Sequence, residues 1–199
     1  MAEDDVYQNL KTRYEEGRVP WDDELPPPEV IEMAARLSPG RALDLGCGYG
    51  RSSIYLARRD WTVDGVDFIP LAIARALARA EQAGVGDLAS FHLGKVTNLR
   101  FLSGPYDWAL DVGCMHALDD AGLRQYRDEV YRLLRPGGLY MLFAHLRAEG
   151  IDVPGRGVFE ETVHDLFGRS FTLEREVRGT TQVEGRPPFP SAWFWFRRN

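Results

Sequence analysis

The sequence is poor in cysteine and has no long apolar segment. Its 199 residues include only two cysteines, Cys47 and Cys114, and their spacing matches no metal site or disulfide framework. No apolar run approaches the roughly 20 residues that a transmembrane helix needs. Residues 1–18 are charged throughout and lack the apolar core of a secretory signal. We therefore expect a cytoplasmic protein with reduced thiols, no membrane segment and no metal.

The chain also lacks an excess of positive charge. Its formal net charge is −6, and the basic residues do not gather into one stripe. Since phosphate contacts supply most non-specific affinity for nucleic acids, we expect no nucleic-acid partner. A length of 199 residues suits one α/β domain. We predict a single domain over 1–199, with a helical lead-in or lid over 1–37 and a core over 38–199; the oligomeric state stays open.

Apolar periodicity predicts strands and helices that alternate from residue 41 onwards. An amphipathic helix through Tyr7, Leu10 and Tyr14 and a second helix opened by the prolines at 26–28 come before them. The predicted strands cover 41–45, 62–66, 89–93, 106–112 and 139–144, and a closing antiparallel pair covers 171–178 and 191–198. The predicted helices cover 51–59, 70–83, 120–134 and 159–167, and the most loop-like segment is 180–190.

This order predicts an α/β fold of the Rossmann-like, doubly wound kind. The successive strand–helix–strand units imply a mostly parallel sheet with right-handed crossovers and helices on both faces. Ligands of such sheets bind at the carboxyl ends of the strands, near the point where the strand order reverses. Candidate site residues are therefore sought at those strand ends.

A glycine-rich loop follows the first predicted strand. Gly46, Gly48 and Gly50 lie between that strand and its helix, within the sequence DLGCGYG that starts at Asp44. Glycines at this place allow a sharp bend and a close approach of the backbone to a ligand. An ordinary strand-to-helix turn is the alternative interpretation.

A carboxylate ends the second predicted strand. Asp67 lies 23 positions after Asp44, where a nucleoside site needs an acid that accepts hydrogen bonds from the ribose hydroxyls. A solvated turn aspartate is the alternative. The spacing Gly46-x-Gly48-x-Gly50 departs from the nicotinamide fingerprint, because Arg51 occupies the position of its third glycine.

The motifs from residue 41 to 146 resemble those of the class I S-adenosylmethionine-dependent methyltransferases. The loop 44–50 resembles the family's first motif, 106–112 its fourth, and LLRPGG at 133–138 the turn before its fifth strand. The resemblance implies a seven-stranded sheet whose last strand inserts antiparallel, with S-adenosylmethionine as cofactor and S-adenosylhomocysteine as product. The cofactor-binding residues that it implies are Asp44, Gly46, Cys47, Gly48, Gly50, Arg51, Asp67 for the ribose, Phe68 beside the adenine, Asp111 and Val112.

One position departs from the family pattern. The family often has Gly-Asp after its third strand, with the acid bonded to the adenine amine, and this chain has Gly94-Lys95. A lysine side chain offers only donors, so it cannot accept from that amine. The backbone of Lys95 or Val96 can still contact adenine.

A narrower resemblance involves the lead-in. Residues 17–22 (GRVPWD) and 111–116 (DVGCMH) are similar to segments of small thiol, halide and thiopurine methyltransferases. In those enzymes the N-terminal segment folds over the cofactor, which makes Trp21 a candidate lid and cofactor-contacting residue. An aromatic anchor for the N-terminal helix is the alternative role.

The candidate catalytic residues are His116 and His145. Methyl transfer to a phenol or amine usually needs a proton acceptor, and these histidines follow the fourth and fifth predicted strands. A structural role is the alternative for both, and His92 and His164 are expected to be structural. Of the aromatic residues 193–196, we expect half to be core and half to cover a pocket.

These observations predict a methyltransferase that acts on a small-molecule acceptor at S, O, N or halide by in-line displacement. Two alternatives stay open. One is a protein that binds S-adenosylmethionine without transferring its methyl group. The other is a nicotinamide-dependent oxidoreductase. It is supported only by the shared order of a strand, a glycine-rich loop and an acidic residue at the end of the next strand.

Overall fold

The computed structural model describes residues 3–147, 157–182 and 187–199, and within these ranges it contains six α-helices and seven strands. The helices are α1 (Glu3–Glu15), α2 (Pro28–Arg36), α3 (Arg51–Ala57), α4 (Pro70–Gln82), α5 (Asp120–Leu133) and α6 (Glu160–Phe167). The strands are β1 (Arg41–Leu45), β2 (Thr62–Asp67), β3 (Ala89–Leu93), β4 (Tyr106–Val112), β5 (Leu134–His145), β6 (Phe171–Thr181) and β7 (Phe189–Arg198). A short 3-10 helix, Met115–Ala117, follows β4.

All seven strands form one sheet in the order β3-β2-β1-β4-β5-β7-β6. The pairs from β3 to β5 are parallel, whereas β7 runs antiparallel to both β5 and β6. The predicted fold class and the inserted antiparallel last strand are confirmed. The strand order reverses between β1 and β4, so the carboxyl ends of these two strands flank the crevice where such sheets bind ligands.

Helices cover both faces of the sheet, as predicted. Buried side chains of α5 and α6 pack on one face, and those of α2, α3 and α4 pack on the other. Strand β7 lies between β5 and β6, so its side chains are buried in alternation on both faces. All four aromatic residues at 193–196 are therefore core, with at most 7% exposure. The expectation that half of them cover a pocket is wrong.

Strands β5, β6 and β7 are longer than the pattern predicts. Leu134 already pairs with Tyr106, and a bulge before Leu139 absorbs the Arg-Pro-Gly-Gly turn inside β5. Strand pairing also reaches Thr181 and Phe189, at the two ends of the segment predicted to be a loop. Residues 183–186 of that segment lie outside the described residues. In both places, pairing with a neighbouring strand overrides the local turn signal.

The lead-in folds as two helices. Helix α1 ends at Glu15, and α2 buries Val30 and Ala34 against the sheet. Pro28 occupies the first turn of α2, where backbone N–H groups have no carbonyl partner within the helix, so proline forfeits no hydrogen bond there. Among the residues described, no helix is both long enough and apolar enough to cross a bilayer.

Candidate cofactor and acceptor site

The glycine loop makes a tight bend directly after β1. The N–H of Gly46 donates to the carbonyl of Val66 on the neighbouring strand over 2.8 Å. Gly46 and Gly48 have φ angles of +72° and +55°, which side-chain-bearing residues rarely adopt. A Cβ on Gly46 would lie 2.5 Å from the Cβ of Cys114. The bend therefore brings the β1 loop against the β4 loop with no room for a side chain.

The carboxylate of Asp67 joins β2 to this loop. One oxygen accepts the N–H of Gly48 over 3.0 Å, and the other accepts the N–H of Ile69 over 2.9 Å. The side chain is 6% exposed, and burial raises its pKa despite these two hydrogen bonds. A carboxylate has about four lone-pair positions. The two that remain suit a vicinal pair of hydroxyl donors such as a ribose offers.

Asp44 and Arg51 have protein partners on either side of the loop. The buried carboxylate of Asp44 accepts the hydroxyl of Ser53 over 2.6 Å, and burial raises its pKa to about 6. The guanidinium of Arg51 pairs with Asp23 over 3.0 Å and faces the lead-in. Ser53 shows no motif in the sequence, and its role emerges only from the turn of α3.

The two cysteines flank the glycine loop. The N–H of Cys47 donates to the carbonyl of Val66, and its thiol lies among the apolar side chains of the α2–α4 face. Cys114 meets Gly46 as described above. Burial raises the pKa of both thiols, so they stay protonated at neutral pH. Both cysteines were predicted to be reduced thiols, and the described chain shows no disulfide between them.

Three aromatic residues pack together at the loop: Tyr14 and Trp21 come from the lead-in, and Tyr49 belongs to the loop itself. The Tyr14 ring packs edge-on against Trp21, 5.9 Å away, and against Tyr49, 5.2 Å away. A Cβ on Gly48 would lie 3.2 Å from the Tyr14 hydroxyl. Sequence reasoning placed Tyr14 only in the apolar stripe of α1. Its nearness to Gly48 depends on how α1 docks, which the sequence pattern does not contain.

The Tyr14 hydroxyl is a donor that faces the loop. In the part of the chain that the structure describes, its one hydrogen bond is accepted from Nε1 of Trp21, over 3.3 Å. Burial, together with the charge of Asp67, raises the pKa of Tyr14, so the hydroxyl keeps its proton. The O–H beside Gly48 can therefore donate to a bound acceptor group.

Two ion pairs fasten the segment around Trp21, and we call them the lid latch. Asp22 makes a bidentate pair with Arg79 of α4, with oxygen–nitrogen distances of 2.6 and 2.7 Å. Asp23 pairs with Arg51 of α3, as noted above. Bidentate pairs are geometrically specific and stronger than single contacts. The latch therefore ties the lead-in to the two helices that follow the glycine loop and β2.

The adenine side of the predicted site is formed by residues after β2 and β3. The half-buried ring of Phe68 meets Tyr7 of α1 edge-on, with centroids 5.5 Å apart. Lys95 is exposed, and its carbonyl accepts the N–H of Asn98 in a turn. The side chain of Val96 is buried in the core of the α5–α6 face. Only the main chain of Val96 can therefore face a ligand here.

The side chain of Asp111 is held by three protein donors. It is fully buried, and its oxygens accept the N–H groups of Cys114 (2.7 Å) and Met115 (3.0 Å) and the hydroxyl of Tyr126 (2.7 Å). Burial raises its pKa to about 7. These contacts fix the loop that leads to His116, while the half-buried Val112 lies just before it. Asp111 shapes the site from beneath.

The two candidate catalytic histidines lie side by side. The rings of His116 and His145 stack with centroids 4.1 Å apart and an interplanar angle of 20°. The backbone N–H of His145 donates to Nδ1 of His116 over 3.2 Å. Burial, aided by His145, lowers the pKa of His116 to about 3, and burial lowers that of His145 to about 4. Both imidazoles are therefore neutral at pH 7.

The other two histidines lie in polar networks away from the loop. His92 contacts Asp64 over 2.8 Å on the sheet. His164 lies 3.1 Å from Glu176 and 3.7 Å from Glu160, and Arg178 pairs with both glutamates. The Glu160, His164 and Glu176 side chains come close enough to hold a cation. The guanidinium already supplies that charge.

The geometry around the loop fits S-adenosylmethionine. Asp67 keeps acceptor positions for two ribose hydroxyls, and the glycines leave the backbone open. The Tyr14 hydroxyl offers a proton beside Gly48, where the amino-acid end of such a ligand would need donors. The two guanidinium groups at the loop, of Arg51 and of Arg79 over the Tyr49 ring, already pair with Asp23 and Asp22.

Comparison with known families points to the same chemistry. The family model described as a methyltransferase domain matches residues 42–138 of this chain. A 2-heptyl-1-hydroxyquinolin-4(1H)-one methyltransferase of Mycobacteroides abscessus is 26% identical over 162 residues, covering 79% of this chain and 70% of that protein. A tRNA (guanine-N(7)-)-methyltransferase of Thermus thermophilus is 30% identical over 164 residues, covering 81% of this chain. The chain spans about half (49%) of the length of that second relative.

Solved structures share the fold over nearly the whole chain. A 1,6-didemethyltoxoflavin-N1-methyltransferase of Burkholderia thailandensis was solved with 1,6-didemethyltoxoflavin and S-adenosylhomocysteine bound. It superposes with a TM-score of 0.73 at 22% identity, covering 100% of this chain and 91% of that one. At this identity the likeness shows the fold.

Proposed function

Because the chain belongs to the class I S-adenosylmethionine-dependent methyltransferases, we propose that it transfers the methyl group to a small-molecule acceptor. The observation that carries the proposal is the contact between Asp67 and the N–H of Gly48, 3.0 Å long. This contact joins the carboxyl ends of two parallel strands beside the point where strand order reverses. An adenosyl group would be held there by its ribose.

The site's own residues would act mainly by alignment. S-adenosylmethionine supplies an electrophilic methyl carbon on a cationic sulfur, and the displacement requires the acceptor to lie in line with that bond. Alignment of this kind can contribute on the order of 7–11 kcal/mol. Asp67 and the glycine loop would fix the adenosyl end, and Tyr14 and Trp21 would close over the methionyl end. The stacked histidines would lie on the acceptor side.

A small acceptor is supported by composition and by the relatives. A net charge of −6 opposes binding of a polyanion. The hydroxyquinolone and toxoflavin enzymes named above act on small heterocycles, by their names. The relative that modifies tRNA is matched over only 49% of its length, so the remainder of that protein has no counterpart in the alignment. We therefore favour a small molecule over RNA.

Calorimetric titration with S-adenosylhomocysteine tests the cofactor half of the proposal. We expect Asp67→Ala to lower the affinity about 10- to 100-fold, because it removes two hydrogen bonds to a charged acceptor. Asp87→Ala is the matched control, since Asp87 is exposed at the amino end of β3. Circular dichroism on each variant shows whether the fold persists.

Two results would end this proposal. The first is a wild-type protein that binds neither S-adenosylmethionine nor S-adenosylhomocysteine at millimolar concentration. The second is a folded Asp67→Ala variant with unchanged affinity. Thermal protection by NADH but not by S-adenosylhomocysteine would support the oxidoreductase alternative. Cofactor binding without transfer to any thiol, phenol or amine in a broad screen would support the binding-protein alternative.

A further inference from the structure

The loop after β4 links the glycine loop to the histidine pair over a few residues. Gly46 meets Cys114, and Cys114 is two residues before His116. A Cβ on Gly113 would lie 3.4 Å from Cε1 of His116 and 4.0 Å from the ring of Phe143. The loop after β4 therefore runs from the methyl-donor side of the crevice directly to the histidines.

The hydrogen bond between the histidines fixes the state of one ring. Because Nδ1 of His116 accepts the backbone N–H of His145, this nitrogen carries a lone pair. His116 is neutral, so its proton is on Nε2. His116 can thus donate a hydrogen bond through Nε2, and it could take a further proton only on Nδ1, which would break its contact with the N–H of His145.

His145 has the freer ring. The half-buried side chain belongs to the last residue of β5, and its Nδ1 is sealed from solvent with no hydrogen-bond partner among the described residues. Nε2 is therefore the nitrogen that can meet an acceptor molecule. An unpartnered Nδ1–H stabilises the imidazolium poorly, so His145 would accept a proton only as bond formation proceeds and would release it readily afterwards.

The surroundings of His145 are aromatic. Phe143 and Phe189 meet its ring edge-on, with centroid distances of 5.6 and 4.8 Å, and Phe143 contacts Trp193 at 5.1 Å. The side chains of His116, Phe143, His145 and Phe189 form what we call the acceptor cluster, and Trp193 supports Phe143 from the core. None of the four carries a charge at neutral pH. A carboxylate, a halide or a thiolate would find no cation within the cluster.

On the proposed function as its premise, we propose that the methyl acceptor is a hydroxylated aromatic ring, with His145 as its general base. The ring would pack against the acceptor cluster in the edge-on and stacked geometries that aromatic groups prefer. The hydroxyl oxygen forms the new bond to the methyl carbon while its proton passes to Nε2 of His145. The carbon–sulfur bond breaks, its electron pair stays on sulfur, and the imidazolium then loses the proton to water.

Three probe acceptors on one skeleton test this assignment. We would use 1-naphthol, decahydro-1-naphthol, which lacks the aromatic ring, and 4-nitro-1-naphthol, which is ionised near neutral pH. Formation of S-adenosylhomocysteine gives kcat and KM for each. We expect transfer to 1-naphthol and none to the saturated alcohol.

The variant His145→Gln separates proton transfer from packing. We expect kcat/KM for 1-naphthol to fall about 100-fold or more, the usual range for a lost general base. For 4-nitro-1-naphthol, which needs no base, the loss should stay below about fivefold. His164→Gln, in the Glu160–Glu176 network, is the matched control and should change neither value by more than about twofold. Nitrogen-15 NMR gives a readout besides activity: His116 should show the Nε2–H form.

The outcomes discriminate between the two levels of the proposal. Equal losses on both naphthols, comparable transfer to the saturated alcohol, or an Nδ1–H form of His116 would overturn the role of His145. If no aromatic hydroxyl is methylated while S-adenosylhomocysteine still binds, the acceptor class is wrong and the methyltransferase assignment stands. If S-adenosylhomocysteine does not bind, the proposed function itself fails.

Discussion

The two halves of the crevice are built by different means. On the cofactor half, main-chain groups make the decisive contacts: Asp67 accepts from Gly48 and Ile69, and Gly46 donates to Val66. On the acceptor half, side-chain rings meet one another. The comparison shows that a ligand-binding bend can be encoded within a few residues, whereas a packed aromatic surface needs the whole fold to assemble it.

The same contrast appears in the polar groups. The oxygens of Asp67 accept from two main-chain N–H groups, whereas those of Asp111 are engaged by three protein donors in and beneath the loop after β4. In the proposed function the first carboxylate contacts the ligand, and the second holds a loop.

The largest effect is expected when a glycine of the loop is replaced by alanine, which adds a Cβ. Gly46→Ala should lower the free energy of unfolding by about 2–5 kcal/mol, combining left-handed backbone strain with a clash against Cys114. Gly84→Ala is the matched control: its φ of +69° is close to the +72° of Gly46, yet a Cβ there meets nothing within 4 Å. The control should lose only about 1–2 kcal/mol. Urea denaturation measures both, and equal losses would show that the close contact at Gly46 does not matter.

The cofactor half was also the half that the sequence could predict. Strands β1 and β4 have the predicted bounds, and Asp119 caps α5 by accepting the N–H of Gly122. These features depend on neighbours within a few residues. The bend at Gly46, which follows β1, and the acid at Asp67, which ends β2, are equally local, because each is marked by residues at the carboxyl end of a single strand.

The acceptor half depends on pairing across long stretches of chain. The stacking of His116 on His145 needs the loop after β4 to meet the end of β5, and Phe189 arrives with β7 from more than 40 residues further on. The aromatic run at 193–196 was misjudged for the same reason, since only the insertion of β7 between two strands buries both its faces. The position of Tyr14 beside Gly48 was missed because the periodicity that predicts α1 does not indicate where the helix docks.

An effect of intermediate size is expected in the pH dependence of the free energy of unfolding, which should separate the two halves. Burial raises the pKa of Asp44 to about 6 and that of Asp111 to about 7, so the folded state holds protons that the unfolded chain releases near pH 4. The stability that these acids contribute is present below about pH 4 and is lost as pH rises to 6–7. The lowered pKa values of His116 and His145, about 3 and 4, act oppositely. Their contribution is present above about pH 6.5 and is lost as pH falls.

Single variants expose each slope between pH 4.5 and 6.5. Asp44→Asn should make the free energy of unfolding rise more steeply with pH, because it removes a falling contribution. His145→Gln should make it rise less or fall, because it removes a rising one. One proton changes the slope by at most about 1.4 kcal/mol per pH unit. Denaturant titrations at four pH values measure the slopes, and a change of the opposite sign in either variant would contradict the assigned pKa direction.

The smallest effect is expected at the lid latch, which tests whether the lead-in belongs to the cofactor half. Asp22 is 17% exposed and pairs in bidentate fashion with Arg79, whereas Asp23 is 77% exposed and makes one contact with Arg51. Exposed pairs contribute about 0.2–1 kcal/mol and bidentate, partly buried pairs more. Asp22→Asn should therefore weaken S-adenosylhomocysteine binding about three- to fivefold, and Asp23→Asn less than twofold. High salt should reduce the difference. If both variants bind like the wild type, Trp21 is held over Gly48 by ring packing alone, and the lead-in is an anchored cover whose position does not depend on charge.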